Sequence, residues 1–387
     1  MLANRRKQGY LASMPMESDV RIGLRLKAAR ERSGLTQQQL ADALGVRHRQ
    51  TIASIESGDR RLSAPELIRS TQVLDVDLDY FTDPFRLVGE GQFSFRTSTD
   101  VENEALDRFE RRAGKWIAMY RELSQEQGHP TRWLGYKLDL SPDSSFEDAQ
   151  AAGEAAVEAW NLGCHPAERL RSVMEDRLHV LVLYIDAPTG ISGAASRVPG
   201  LNCALVNRQE SEGRQNFDLA HELFHLLTWD ALPPARATAV DRRRRGKRWR
   251  IEKLAENFAA ALLMPSATMD RAWNSGSRAA DVHDRLNTIA DAMRVSAQAC
   301  KWRLFNLDLL SKSDLDGIED RRLSRNGNVR CGDREPSLFS EPFVERLSVA
   351  LDSGRLSVKR ATGLLGVSVT QLAEVLGAYG HEAYFDA

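Results

Sequence analysis

The chain has 387 residues, 42% of them hydrophobic and 28% charged, with a formal net charge of −1. That length exceeds one ordinary core, so two or three domains are expected, and the near-neutral balance excludes binding to nucleic acid or membrane through overall basicity. The absence of a long apolar run or signal-type segment argues against a membrane partner and predicts a cytoplasmic location. Cys164, Cys203, Cys300 and Cys331 lie far apart without CxxC spacing, which argues against a disulfide framework and against a cysteine metal site.

Residues 1–19 show no period and are expected to form a disordered leader. Order is expected from Val20. Ile22, Leu26 and Ala29 mark an amphipathic helix that Gly34 breaks, and Thr36 caps a second helix through Gln37, Leu40 and Ala43. Gly45 supplies a turn, and a third helix runs from Arg49 to Ser57, closed by Gly58. Two short helices joined by a glycine turn give a helix-turn-helix outline.

The strings GLTQQQLADALGV and RQTIASIESGDRRLS resemble Xre-type, λ-repressor-like DNA-binding domains. That resemblance implies a DNA-binding domain over residues 20–85, with Ile52 and Ile55 in its core. Arg49, Gln50, Thr51 and Ser54 would then face base edges in the major groove, and Gln37 and Gln38 would contact phosphates. RHRQ, between Val46 and Thr51, is one residue longer than the family's usual turn, so the set of base readers can slip by one. Charge agrees with the assignment: Val20 to Arg61 holds nine basic and four acidic residues, a net +5, whereas Leu62 to Phe85 is net −4. Double-stranded operator DNA and a homodimer are the implied partners.

Residues 86–140 are expected to be a helical connector. GEGQFSFRTSTD leads into a long helix from Glu102 to Gln127 with Leu106, Phe109, Ala113, Trp116, Ile117 and Tyr120 on one face. A further domain is expected over 141–312. Ser141-Pro142-Asp143 starts a helix reaching Trp160, and Pro166 starts another ending near Leu178. His179 to Asp186 reads as a buried strand, Gly190 and Gly193 as a turn, and Cys203 to Asn207 as a second strand. His165, His179 and His283 have no ligand spacing to the motif that follows.

That motif is His221-Glu222-Leu223-Phe224-His225 within FDLAHELFHLLTWD. Residues four apart share a helix face, so His221 and His225 can present imidazoles to one Zn²⁺ ion, with Mn²⁺ as the alternative. Glu222 beside them fits the carboxylate that takes a proton from water and returns it to a leaving amine. Leu219, Ala220, Leu223, Phe224, Leu226 and Leu227 wrap the rest of the helix, so it is expected to be buried with its polar trio needing partners. Downstream, RIEKLAENFAAALLMP forms a second apolar helix stopped at Pro265.

The pairing of FDLAHELFH with E-x-x-A-x-x-FA-x-x-LLMP resembles the ImmA/IrrE family of metallo-endopeptidases. The resemblance implies a third ligand at Glu252, three residues before Ala255, with Glu256 as the fallback one turn on. It also implies a zincin-like α+β domain with a small sheet, and cleavage of a repressor in response to DNA damage or other stress. The substrate would be a separate Xre-type repressor or this chain itself.

Asp241 to Arg250 carries seven basic residues around Gly246 and Trp249. It reads as a solvated loop or as a contact for an acidic segment or a single-stranded DNA activator, with Trp249 available for stacking. Ile289 to Phe305 and Leu356 to Leu376 repeat an outline of alanine-rich helix, Val-Ser turn and second helix. Residues 313–340 are expected to be a flexible linker and 341–387 a C-terminal helical segment. The fold class is therefore multidomain and mainly α. The functional expectation is a DNA-binding transcriptional regulator with zinc endopeptidase activity. The alternative is a non-proteolytic transcription factor that uses the peptidase fold as a ligand sensor or dimerisation module.

Overall fold

A computed structural model of the chain describes residues 17–97, 101–239, 246–275, 281–323, 336–383 and 385. It divides into two compact units, Met1–Glu90 and Gly91–Ala387. Among the described residues no single helix is long and apolar enough to cross a membrane.

The first unit consists of α1 (Glu17–Arg32), α2 (Gln37–Leu44), α3 (Arg49–Glu56), α4 (Ala64–Leu74) and α5 (Leu78–Thr82). Helix α1 starts at Glu17, ahead of the expected Val20, and the earlier part of the expected leader lies outside the described residues. Thr36 caps α2 in a reciprocal box with Gln39, and Gly45 closes that helix in the left-handed region at φ 72. Leu26, Leu40, Leu44, Ile52 and Ile55 join Leu74, Tyr80 and Phe81 in one core. Beneath it Arg25 donates to Glu90 and to the carbonyls of Phe81 and Tyr80, so the last residues of the unit are tied to its first helix.

The second unit is built on a five-stranded sheet in the order β2-β4-β3-β1-β5. Its strands are β1 (Gln92–Thr97), β2 (Val180–Ile185), β3 (Ile191–Val198), β4 (Leu201–Asn207) and β5 (Ala237–Ala239). The pairs β2/β4 and β1/β5 are parallel; β4/β3 and β3/β1 are antiparallel. Strand β1 falls in the stretch expected to be a helical connector. Five of its six residues are buried, so the in-out alternation that marks a half-exposed strand is missing. Gly190 turns as expected, with φ 90, but Gly193 lies inside β3.

Helix α6 (Asn103–Glu126) follows β1. Helix α7 (Phe146–Ala159) starts after Ser145, whose capping box with Asp148 displaces the expected start at Ser141. A 3-10 turn at Pro166–Glu168 precedes α8 (Leu170–Asp176). Helix α9 (Glu212–Thr228) lies on β3 and β4, and α10 (Lys247–Leu263) packs against α7 and α9. Gly153 permits the α7–α10 approach, because a Cβ there would stand 2.6 Å from the Phe258 carbonyl oxygen. After α11 (Ser266–Ser275), the helices α12 (Val282–Met293) and α13 (Ala297–Asn306) form the first expected echo, with Ser296 capping α13. Arg303 fastens it to the core through the Met264 carbonyl and Glu154.

The expected linker is largely replaced by structure where it is described. Helix α14 (Lys312–Gly317) and a turn at Asp320–Arg322 set Ile318 and Leu323 into the main core. Phe339 exchanges backbone hydrogen bonds with Tyr184 on β2. Only 324–335 of that stretch lies outside the described residues. Helices α15 (Glu341–Asp352), α16 (Val358–Leu365) and α17 (Val369–Ala378) form the C-terminal segment. It sits on α6, where Trp116 donates to the Leu365 carbonyl and packs edge-on against Phe339.

Candidate functional site

Helix α9 carries His221, Glu222 and His225, all buried, because apolar residues surround it and both the sheet and α10 cover it. The His221 and His225 Nε2 atoms face one another at 3.1 Å. Glu252, from the second turn of α10, brings Oε2 to 3.2 Å from His221 Nε2 and Oε1 to 3.6 Å from His225 Nε2. All the potential ligand atoms lie within 4.8 Å of each other. Glu256 instead pairs with Lys253 at 2.5 Å and is not in the cluster.

The donor set fits a divalent metal. Bonds of about 2.0–2.1 Å at tetrahedral angles place neighbouring donors about 3.3 Å apart, close to the spacings found here. Two imidazole nitrogens and a carboxylate are the ligands zinc takes, and three protein ligands leave a position for water or substrate. The electrostatics agree. Burial, with Arg96 nearby, pushes His221 down to about 3, so its imidazole is neutral. Burial also acts to lower His225, but Glu252 outweighs it and leaves His225 raised. Burial would lift Glu252, yet His225 and His221 hold it well below the usual carboxylate range. A divalent cation would satisfy all three groups at once.

Glu222 lies against the sheet, beside β3. Its Oε1 is next to Gly193 of β3, 3.4 Å from where a Cβ at that position would stand, an ordinary contact distance. Burial pushes its carboxyl up to about 8, against the pull of His225 and Arg96. Positive charge placed among the three donors would favour the ionised form.

Three contributors to this arrangement were not found in the sequence. Gly193 reads there as a turn residue, Arg96 lies in a missed strand, and Asp218 sits one turn before Glu222 on α9. Arg96 donates to Asp218 across the sheet–helix interface, and both are buried. Asp218 in an otherwise apolar helix is the one signal the sequence offered.

In the first unit, Arg49 and Gln50 at the start of α3 are exposed, and Thr51 and Ser54 are half-buried. Gln37 is engaged internally, donating to Glu56 at 2.9 Å, while Glu56 is also paired with Arg30. Gln38 donates to Asp42 on its own helix. Of the basic run 241–250, residues 240–245 lie outside the described residues. Trp249 is half-buried and packs edge-on against Phe146, with ring centroids 6.4 Å apart. His165, His179 and His283 are not in the metal-type cluster.

Fold and site together define a DNA-binding module joined to a metallopeptidase-like domain. Residues 26–81 match the helix-turn-helix family model and residues 175–305 match the IrrE N-terminal-like domain model, so the chain is a fusion of an Xre-type domain with an ImmA/IrrE-like domain. No curated protein matches it. Among solved structures, that of Bacillus thuringiensis PlcR in complex with a peptide and DNA is 12% identical, covering 77% of this chain and 91% of that one, with a TM-score of 0.15. That score supports no shared fold.

Proposed function

We propose that the chain is a DNA-binding regulator whose second unit is a zinc-dependent endopeptidase, with a helix-turn-helix repressor or the chain itself as substrate. The observation that carries this reading is the convergence of His221, His225 and Glu252 beside Glu222 on a buried HExxH helix. A purely structural helix would gain nothing from burying these polar groups without a metal to satisfy them.

His221, His225 and Glu252 would hold the ion, which when bound supplies Lewis acidity at a carbonyl and lowers the pKa of a water. Glu222 takes the proton from water as the water oxygen bonds to the scissile carbonyl carbon and the carbonyl electron pair moves onto its oxygen. The same carboxyl then delivers that proton to the amide nitrogen as the C–N bond breaks. Buried and with no hydrogen-bond partner at Oε1 among the described residues, Glu222 suits proton transfer better than a structural ion pair.

Arg49, Gln50, Thr51 and Ser54 would read operator DNA. Ile68 and Leu78, the large apolar residues left exposed in the first unit, would provide contact for a second copy. Stress-dependent cleavage would then release repression. The test is metal content and proteolysis by the full chain against Glu222→Gln: zinc uptake by both and cleavage by the wild type alone are expected.

A further inference from the structure

The peptidase reading leaves the negative charge that develops on the scissile oxygen without a protein partner. A buried arginine, Arg96, lies close enough to His221 and Glu222 to act on both electrostatically. In the β1/β3 register Arg96 is directly opposite Gly193, and side chains of such a pair project from the same face of the sheet. Glu222 lies against that same position, its Oε1 3.4 Å from where a Cβ on Gly193 would stand. Asp218, which holds Arg96, lies on α9 one turn before Glu222, so residues 96, 218 and 222 are mutual neighbours.

We propose that Arg96 is the oxyanion-binding residue of this site, fixed by Asp218 and donating its remaining N–H groups to the carbonyl oxygen of a bound peptide. This rests on the metallopeptidase reading above. An ion pair that merely ties β1 to α9 is the competing account, and three observations count against it. Asp218 already receives Arg214 Nε at 3.0 Å on its other oxygen, so it does not need a second cation. Among the described residues the Arg96 side chain donates to Asp218 alone, with its guanidinium 5.6 Å from the centre of the Phe217 ring, so N–H groups remain that a ligand could take. Finally, an apolar side chain would join strand to helix without the cost of burying a guanidinium. Burial would push that guanidinium down, yet Asp218, Glu222, Glu256 and Glu252 leave it raised and charged. A fixed cation that needs no reorganisation is what stabilises a developing oxyanion.

The experiment loads the full chain with Co²⁺ and titrates it with acetate, following the visible absorption of the cobalt. Saturable acetate binding is expected in the wild type, at least 10-fold weaker binding in Arg96→Gln, and an intermediate loss in Arg96→Lys, whose single ammonium is held by Asp218. Cobalt stoichiometry should be unchanged in both variants. If Arg96→Gln loses its thermal transition, Arg96→Lys decides. Wild-type acetate affinity in the folded variants, or no acetate response in the wild type, overturns the role of Arg96 and leaves the metal site standing. Failure of the wild type to take up Co²⁺ instead overturns the peptidase reading, and Arg96's role with it.

Discussion

Gly193 lies directly against Glu222: a Cβ at position 193 would stand 3.4 Å from Glu222 Oε1, at ordinary contact distance, and 3.0 Å from the Leu205 carbonyl oxygen, where the neighbouring strand would have to give. Gly193→Ala is therefore expected to strain the β3/β4 pairing beside Glu222 while leaving His221, His225 and Glu252 in place. Overpacking of this kind costs about 1–3 kcal/mol. A lower melting temperature, unchanged zinc stoichiometry and reduced proteolysis should appear together.

The two acids on α10 make a clean pair of variants. Glu252→Gln should weaken zinc binding by at least 10-fold in competition with a chromophoric chelator, because it removes a charged ligand. Glu256→Gln should leave the affinity as it is, since Glu256 faces Lys253. Equal effects of the two would refute the ligand assignment.

Glu175 gives a pH signature outside the site. Burial pushes its carboxyl up to about 7, although Arg171 opposes the shift. Its folded-state pKa is above the unfolded value, so the folded state binds the extra proton. Its contribution is neutral below about pH 4 and becomes increasingly unfavourable as pH rises to about 7, after which it is constant. Glu175→Gln should thus raise the melting temperature at pH 8, by the equivalent of roughly 3 kcal/mol at most, and change little near pH 4.

In the DNA-binding unit, exposed and engaged residues should separate. Arg49→Ala is expected to weaken binding to duplex DNA and flatten its salt dependence without a change in melting temperature. Gln37→Ala should cost about 1 kcal/mol of stability, through the lost hydrogen bond to Glu56. Fluorescence anisotropy over a salt series, with thermal melts of each variant, checks both.

The parts of the fold legible in the sequence were those with short-range signals. Thr36 and Gly45 announced the ends of α2, and the four-residue spacing of His221 and His225 announced one face of α9. The resemblance of the second helix to a known family singled out Glu252, which the fold brings beside both histidines. Hidden parts depended on long-range pairing. Strand β1 joins β3 across about a hundred residues, so nothing local marked Arg96 as a neighbour of Glu222. Gly193 looked like a turn, but its lack of a side chain spares the Leu205 carbonyl of the neighbouring strand, a relation that has no sequence period. Asp314 to Leu323 was polar enough to pass for a linker, yet Ile318 and Leu323 pack into the core while Asp320 and Arg322 pair with Lys301 and Asp281.

The most direct test follows the intact mass of the zinc-loaded chain over time, with and without single-stranded DNA, alone and mixed with helix-turn-helix repressors, alongside Glu222→Gln. The account predicts that fragments of the chain or of a repressor arise from the wild type and not from Glu222→Gln, although both bind one zinc. Zinc bound by both with no fragments in any mixture, or identical fragments from both, would contradict it.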